Sequence, residues 1–157
     1  YPAQATETMV RLIREVEGEQ ADIPVRPFRP LEESVNFSIA RAVARAARQA
    51  SQNLDTAAII AVTASGYTAR IVSRYRPKAP IIAVTPEKRV QRRLKLHWGV
   101  LPLLAARTNN TDEMIETALE TVQKRGLVEK GDLVAITAGT AGSKPGTTNL
   151  MRVYQID

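Results

Sequence analysis

The sequence predicts an α/β fold. We expect three layers (αβα) around a mostly parallel sheet of about five strands, the last strand antiparallel. Three observations carry this. Strand-like and helix-like segments alternate through most of the chain. The runs "AAIIAV" (57–62) and "LVAIT" (133–137) are almost continuously apolar, as strands buried on both faces require. The last two strands are separated by only about nine residues, "TAGSKPGTT", which is too short for a parallel crossover.

Each element follows in order. Ala5, Met9, Leu12, Ile13 and Val16 recur at helical spacing over residues 3–17, with Pro2 at a first-turn position. Gly18, Pro24, Pro27 and Pro30 then mark an extended linker. An alanine-rich helix is predicted over Leu31 to Gln52, its seam formed by Val35, Ile39, Ala42, Val43, Ala46 and Ala50. A strand (57–63), a helix (67–75), the strand "IIAVT" (81–85) and a basic helix (87–94) follow. The strand "GVLPLLA" (99–105) holds Pro102 and is therefore placed near an edge. Thr111 is read as the N-cap of a helix that runs to Arg125, with Gly126 just past its end. The strand "GDLVAITAG" (131–139) and a final strand (149–156) complete the chain.

Composition narrows the function. The chain has 157 residues, 44% of them hydrophobic, which suits one domain with a full core. Cysteine is absent, so disulfides, thiolate metal sites and a cysteine nucleophile are excluded. No apolar run reaches the roughly 20 residues that span a bilayer, and no signal peptide is visible. The chain begins at Tyr1 rather than Met, as expected of a processed form or a fragment. Net charge is +6, from 22 basic and 16 acidic residues, which suits an anionic ligand. Aromatic residues make up only 4%, so base-stacking platforms are scarce and nucleic acid is not the expected partner.

In an open parallel sheet, ligands bind beyond the carboxyl ends of the strands. Two loops arrive there, Thr63 to Thr68 ("TASGYT") and Gly139 to Thr148. In the first, Gly66 admits close backbone approach, Ser65 and Thr68 offer hydroxyls, and the following helix presents free amides to an anion. In the second, Gly139, Gly142 and Gly146 give freedom and Lys144 adds charge. Neither loop has Walker A spacing, and no GxGxxG occurs. His97 has no nearby partner for a triad or metal cluster, and Trp98 reads as a packing residue. Glu113, Glu116 and Glu120 fall at helical spacing and read as a solvated face, as do Arg89, Arg92 and Arg93. The residues alone point to a ligand-binding domain without a catalytic apparatus. A free-standing nucleotide-binding or transferase enzyme, a nucleic-acid module and a purely structural assembly domain are the alternatives.

The pieces "AAIIAVTASGYTARIVSRYRPKAPIIAVTP", "WGVLPLL", "KGDLVAITAG" and "GTTNLMRV", in that order, resemble the C-terminal regulatory domain of bacterial pyruvate kinases. The resemblance runs from Arg29 to Asp157, and "YPAQATETMVRLIREVE" resembles the last helix of that family's catalytic barrel. It implies a barrel helix at 1–18, a linker at 19–30 and an α/β regulatory domain at 31–157. On this basis Met9, Leu12, Ile13 and Val16 would face absent barrel partners, so that helix is expected to fray, swing away or bury its stripe against another copy.

The resemblance also implies a cytoplasmic parent that transfers phosphate from phosphoenolpyruvate to ADP with Mg²⁺ and K⁺. No catalytic residue and no cofactor would lie in this segment, and no membrane partner is implied. A phosphorylated effector would sit between Thr63, Ala64, Ser65, Gly66, Tyr67 and Thr68 and a flap made of Gly142, Ser143, Lys144, Pro145 and Gly146. The family's regulatory domains meet in a tetramer, so a dimer of this segment through Asn149 to Ile156 is expected. One departure matters. Members activated by fructose 1,6-bisphosphate often carry lysine where this chain has Ala64, and an arginine on the helix where 112–116 has none. A monophosphate such as AMP, ribose 5-phosphate or a hexose monophosphate is therefore the expected ligand.

Overall fold

The computed structural model describes residues 1–19, 38–140, 142 and 146–157. Most of the linker at 19–30 and the 31–37 part of the alanine-rich helix lie outside the described residues. The chain divides into two units, Tyr1–Asn36 and Phe37–Asp157. In the first, helix α1 (Pro2–Glu19) carries the Met9, Leu12, Ile13 and Val16 stripe, and within its own unit no other described element lines that stripe. No helix among the described residues is long and apolar enough to cross a membrane.

The second unit follows the predicted order. It comprises α2 (Ile39–Leu54), β1 (Ala58–Val62), α3 (Tyr67–Arg74), β2 (Ile81–Thr85), α4 (Lys88–Leu94), β3 (Val100–Leu104), α5 (Thr111–Lys124), β4 (Leu133–Ala138) and β5 (Leu150–Gln155). The sheet order is β3-β2-β1-β4-β5. β1 pairs parallel with β2 and β4, β2 pairs parallel with β3, and β4 pairs antiparallel with β5. The short β4–β5 connection thus produces the antiparallel ending that its length demands, and β3, with Pro102, lies on an edge.

Period-2 alternation sorts each central strand between two cores. Ile60, Val62, Ile82, Val84 and Ile136 face α5, where Ile115, Ala118 and Val122 pack. Ile59, Ala61, Ile81, Ala83 and Ala135 face the opposite layer of α2, α3 and α4. β1 and β2 are buried at every position, which explains why their sequences lack polar alternation. Burying one such isoleucine stabilises the fold by about 1.5–3 kcal/mol. α2 turns Ala40, Ala44, Ala47 and Ser51 inward rather than the predicted seam: Ile39, Ala42 and Ala46 are exposed, Val43 and Ala50 are half-buried, and Val35 lies outside the described residues, because the small side chains let the helix lie close on the sheet.

The helix ends correct one expectation. Asn110, not Thr111, caps α5: its side chain accepts from the Asp112 amide at 3.0 Å, and Thr111 is the first helical residue. Asparagine and threonine are both good caps, and Asn110 holds the extended backbone that the cap position needs. At α2 the Ser38 side chain accepts from the Arg41 amide, and Asp55 closes the helix in the left-handed region at φ 48°.

Thr137 on β4 is fully buried, and its Oγ1 has no hydrogen-bond partner among the described residues. An unsatisfied buried hydroxyl costs about 1–3 kcal/mol. Thr137→Val keeps the shape and removes the polar atom. It is expected to raise unfolding stability by about 1–2 kcal/mol in denaturant titration; a loss of stability would show that the hydroxyl is satisfied in solution.

Candidate functional site

The chain leaves β1 through α3 on one face of the sheet and returns to β4 through α5 on the other. Diverging crossovers open a crevice at the carboxyl ends of β1 and β4. Both sequence-predicted loops end there.

The first loop is a tight turn in which two hydroxyl oxygens accept from backbone amides. Thr63 continues the sheet, its amide donating to the Val84 carbonyl at 2.9 Å. Its Oγ1 accepts from the Gly66 amide at 2.9 Å. Ser65 Oγ accepts from the Tyr67 amide at 3.4 Å. A hydroxyl that accepts in this way keeps its own hydrogen free to donate. Gly66 caps α3 at φ 83°, where a side chain would be strained. A Cβ there would also lie 3.2 Å from Val90 Cγ1 and 3.3 Å from Leu94 Cδ2 of α4, so glycine is required for backbone shape and for packing. No side chain caps α3. The amides of Thr68 and Ala69 have no partner among the described residues and supply the positive end of the helix dipole.

The second loop reaches the first through one buried contact. Thr68 Oγ1 and Thr148 Oγ1 lie 2.8 Å apart, eighty residues apart in sequence. Thr63, Thr68 and Thr148 are all buried. Either hydroxyl of the pair can be the donor, and the other then keeps a free hydrogen. The base of this loop is closed by Asn149, which accepts from the Thr140 amide at 3.0 Å and donates to Thr140 Oγ1 at 3.3 Å. A Cβ on Gly146 would meet the Tyr67 ring at 3.9 Å, so this loop also lies against the start of α3. Of the flap residues, Gly142 and Gly146 are exposed, and Ser143, Lys144 and Pro145 lie outside the described residues. Ala64 is exposed at the head of the turn.

Two further residues join the site that sequence reasoning did not assign to it. Thr148 lies within the predicted loop, but nothing in the sequence separates it from Thr147. Arg93 of α4 donates from Nη2 to the Ser65 carbonyl at 2.9 Å. Only tertiary structure distinguishes it from Arg89 and Arg92, which share its helix and its exposure. Arg70 stacks over the Tyr67 ring at 5.9 Å. Burial, and then the charges of Arg70 and Arg93, lower the His97 pKa below its ordinary value. Trp98 lies under the Arg76 guanidinium at 5.2 Å and its carbonyl accepts from Ser73 Oγ, but its side chain is exposed and belongs to neither core, so it is not the packing residue expected. Among the described residues no group of histidines and carboxylates could hold a metal ion.

Chemically, the turn is a donor array. Thr63, Ser65 and Thr68 bring hydroxyls to the N-terminus of α3 and no carboxylate lies within 63–68, a composition suited to an anion.

Comparison with known proteins agrees with this architecture. Residues 41–154 match the family described as "Pyruvate kinase, alpha/beta domain". The chain is 43% identical over 158 residues to the pyruvate kinase of Geobacillus stearothermophilus, covering 99% of this chain and 26% of that protein. It is 39% identical over 157 residues to the pyruvate kinase of Clostridium acetobutylicum, covering 100% of this chain and 33% of the relative. Identity to the enzyme of Lactobacillus delbrueckii subsp. bulgaricus is 39% over 156 residues, with 99% and 26% coverage. The chain thus spans between about a quarter and a third of the length of these relatives. A five-stranded sheet with one antiparallel edge and this span of similarity have one reading: the chain belongs to the pyruvate kinase family and carries its α/β domain.

Proposed function

We propose that this α/β domain is the effector-binding and subunit-assembly module of a pyruvate kinase. The parent would pass phosphate from phosphoenolpyruvate to ADP with Mg²⁺ and K⁺, on residues outside this segment. The observation that carries the reading is the meeting of the two loops. The Thr68–Thr148 contact joins the turn after β1 to the loop after β4 at the crevice between the crossovers. Beside it the Thr63 and Ser65 hydroxyl oxygens accept from amides of their own turn, which leaves their hydrogens available to donate. A phosphate dianion, with acceptors only, complements that arrangement.

Ala64 and the arginine-free 112–116 segment give no second cationic grip on that side, so the expected ligand is a monophosphate such as AMP or a sugar monophosphate. Activation would require a coupling of about 1–3 kcal/mol between this site and the catalytic site.

β5 supports the assembly role. It is the edge strand beyond β4, and Val153 on it is exposed. An antiparallel edge of this kind pairs readily with a second copy.

Calorimetric titration of this chain with AMP, ribose 5-phosphate, glucose 6-phosphate and fructose 1,6-bisphosphate tests the effector role. We expect saturable binding of a monophosphate, abolished in Ser65→Asp by the added carboxylate; a Kd near 1 μM corresponds to about −8 kcal/mol. Undiminished binding by the variant, or no binding by any ligand, would contradict it. For assembly, light scattering on concentrated chain is expected to give a dimer that Val153→Lys dissociates. A species that is monomeric at every concentration would contradict pairing through β5.

A further inference from the structure

We infer that Arg93 is a positioning residue for the anion site: it latches the Ser65–Gly66 peptide in the one orientation that leaves the turn open to an anion. The inference rests on the effector reading above. The two ends of this peptide are held by different elements. Its N–H donates to Thr63 Oγ1 at 2.9 Å, and its carbonyl accepts from Arg93 Nη2 at 2.9 Å. N–H and C=O point in opposite directions across a planar trans peptide. The carbonyl oxygen is therefore directed to α4, away from the hydroxyls. Were the peptide turned over, that oxygen would enter the donor array and repel an anion, and Thr63 would lose the bond that orients its hydroxyl.

Gly66 cannot enforce the orientation by itself. Glycine is required there by its φ of 83° and by the nearness of Val90 and Leu94, but glycine is also the residue most tolerant of an alternative backbone conformation. The restraint must come from outside the turn. α4 is suited to supply it, since Val90 and Leu94 seat it directly beneath Gly66 and Arg93 adjoins Leu94 in sequence. Arginine also has donors to spare. One Nη2 bond to the carbonyl leaves others. Arg93 thus brings positive charge to a turn that lacks it at Ala64. Arg92, one residue away on the same helix, has the same charge and is also exposed but, among the described residues, makes no hydrogen bond to the turn, which makes it the control.

The test titrates AMP and inorganic phosphate into the chain and its Arg93→Ala, Arg93→Lys and Arg92→Ala variants, and follows exchange of the Gly66 amide by NMR. We expect Arg93→Ala to weaken binding at least about tenfold, and Arg93→Lys and Arg92→Ala to stay within about threefold of the parent. Thermal midpoints should be nearly unchanged, and the Gly66 amide should exchange faster in Arg93→Ala alone. Equal losses in Arg92→Ala and Arg93→Ala would reduce the effect to the general field of α4 and overturn the latch. Unchanged affinity in Arg93→Ala would do the same. If the parent chain binds neither ligand, the effector reading fails by itself. The Gly66 exchange rate still decides the latch, which is overturned if Arg93→Ala leaves that rate unaltered.

Discussion

Strand β1 is enclosed on all sides, and that constraint organises the domain. It has parallel neighbours on both edges and apolar cores on both faces. Parallel crossovers are right-handed, so the connections β1 to β2 to β3, which run one way across the sheet, and β3 to β4, which runs back, lie on opposite faces. The return through α5 therefore takes the face opposite α3, and the crossovers part above the carboxyl ends of β1 and β4. The crevice is a by-product of burying Ile59 and Ile60 on opposite sides of one strand. Whatever polar chemistry the domain performs falls where the apolar strand runs out, at Thr63.

Polar groups that close to a core need partners, and the partners chosen here define the site. Thr63 and Ser65 satisfy backbone amides of their own turn, and Thr68 satisfies Thr148. This arrangement uses hydroxyl oxygens as acceptors and leaves hydroxyl hydrogens available, which is compatible with the phosphate reading proposed above. α4 enters through packing rather than polarity. Because Val90 and Leu94 press against Gly66, any movement of α4 is felt by the turn, and Arg93 makes the same connection through a hydrogen bond. The turn is thereby tied to two layers of the fold, α4 beneath it and the β4–β5 loop across from it.

Much of this was legible in the sequence. "IIAVT" needed only its two-sided apolarity to be placed as a strand, and the structure begins and ends it at the same residues. Pro102 put β3 at an edge, and the nine-residue connection made β5 antiparallel. The meeting of the two loops followed from the switch-point rule rather than from any motif. What the sequence withheld depends on distances between remote residues. Asn110 and Thr111 are both good caps, and only backbone geometry decides between them. Arg89, Arg92 and Arg93 form one solvated face by spacing, and nothing local marks the one that reaches Ser65, 28 residues away. The Thr68–Thr148 bond is invisible to periodicity for the same reason, although its burial explains why the second loop ends in threonine rather than a larger polar residue.

The central claim is that two distant loops act as one phosphate site. Chemical-shift mapping of the ¹⁵N-labelled chain during titration with AMP tests it most directly. The account predicts that residues 63–68 and 146–148 shift together along one saturation curve, with Thr68 and Thr148 among the largest changes. Shifts confined to one loop, or centred elsewhere on the domain, would contradict it.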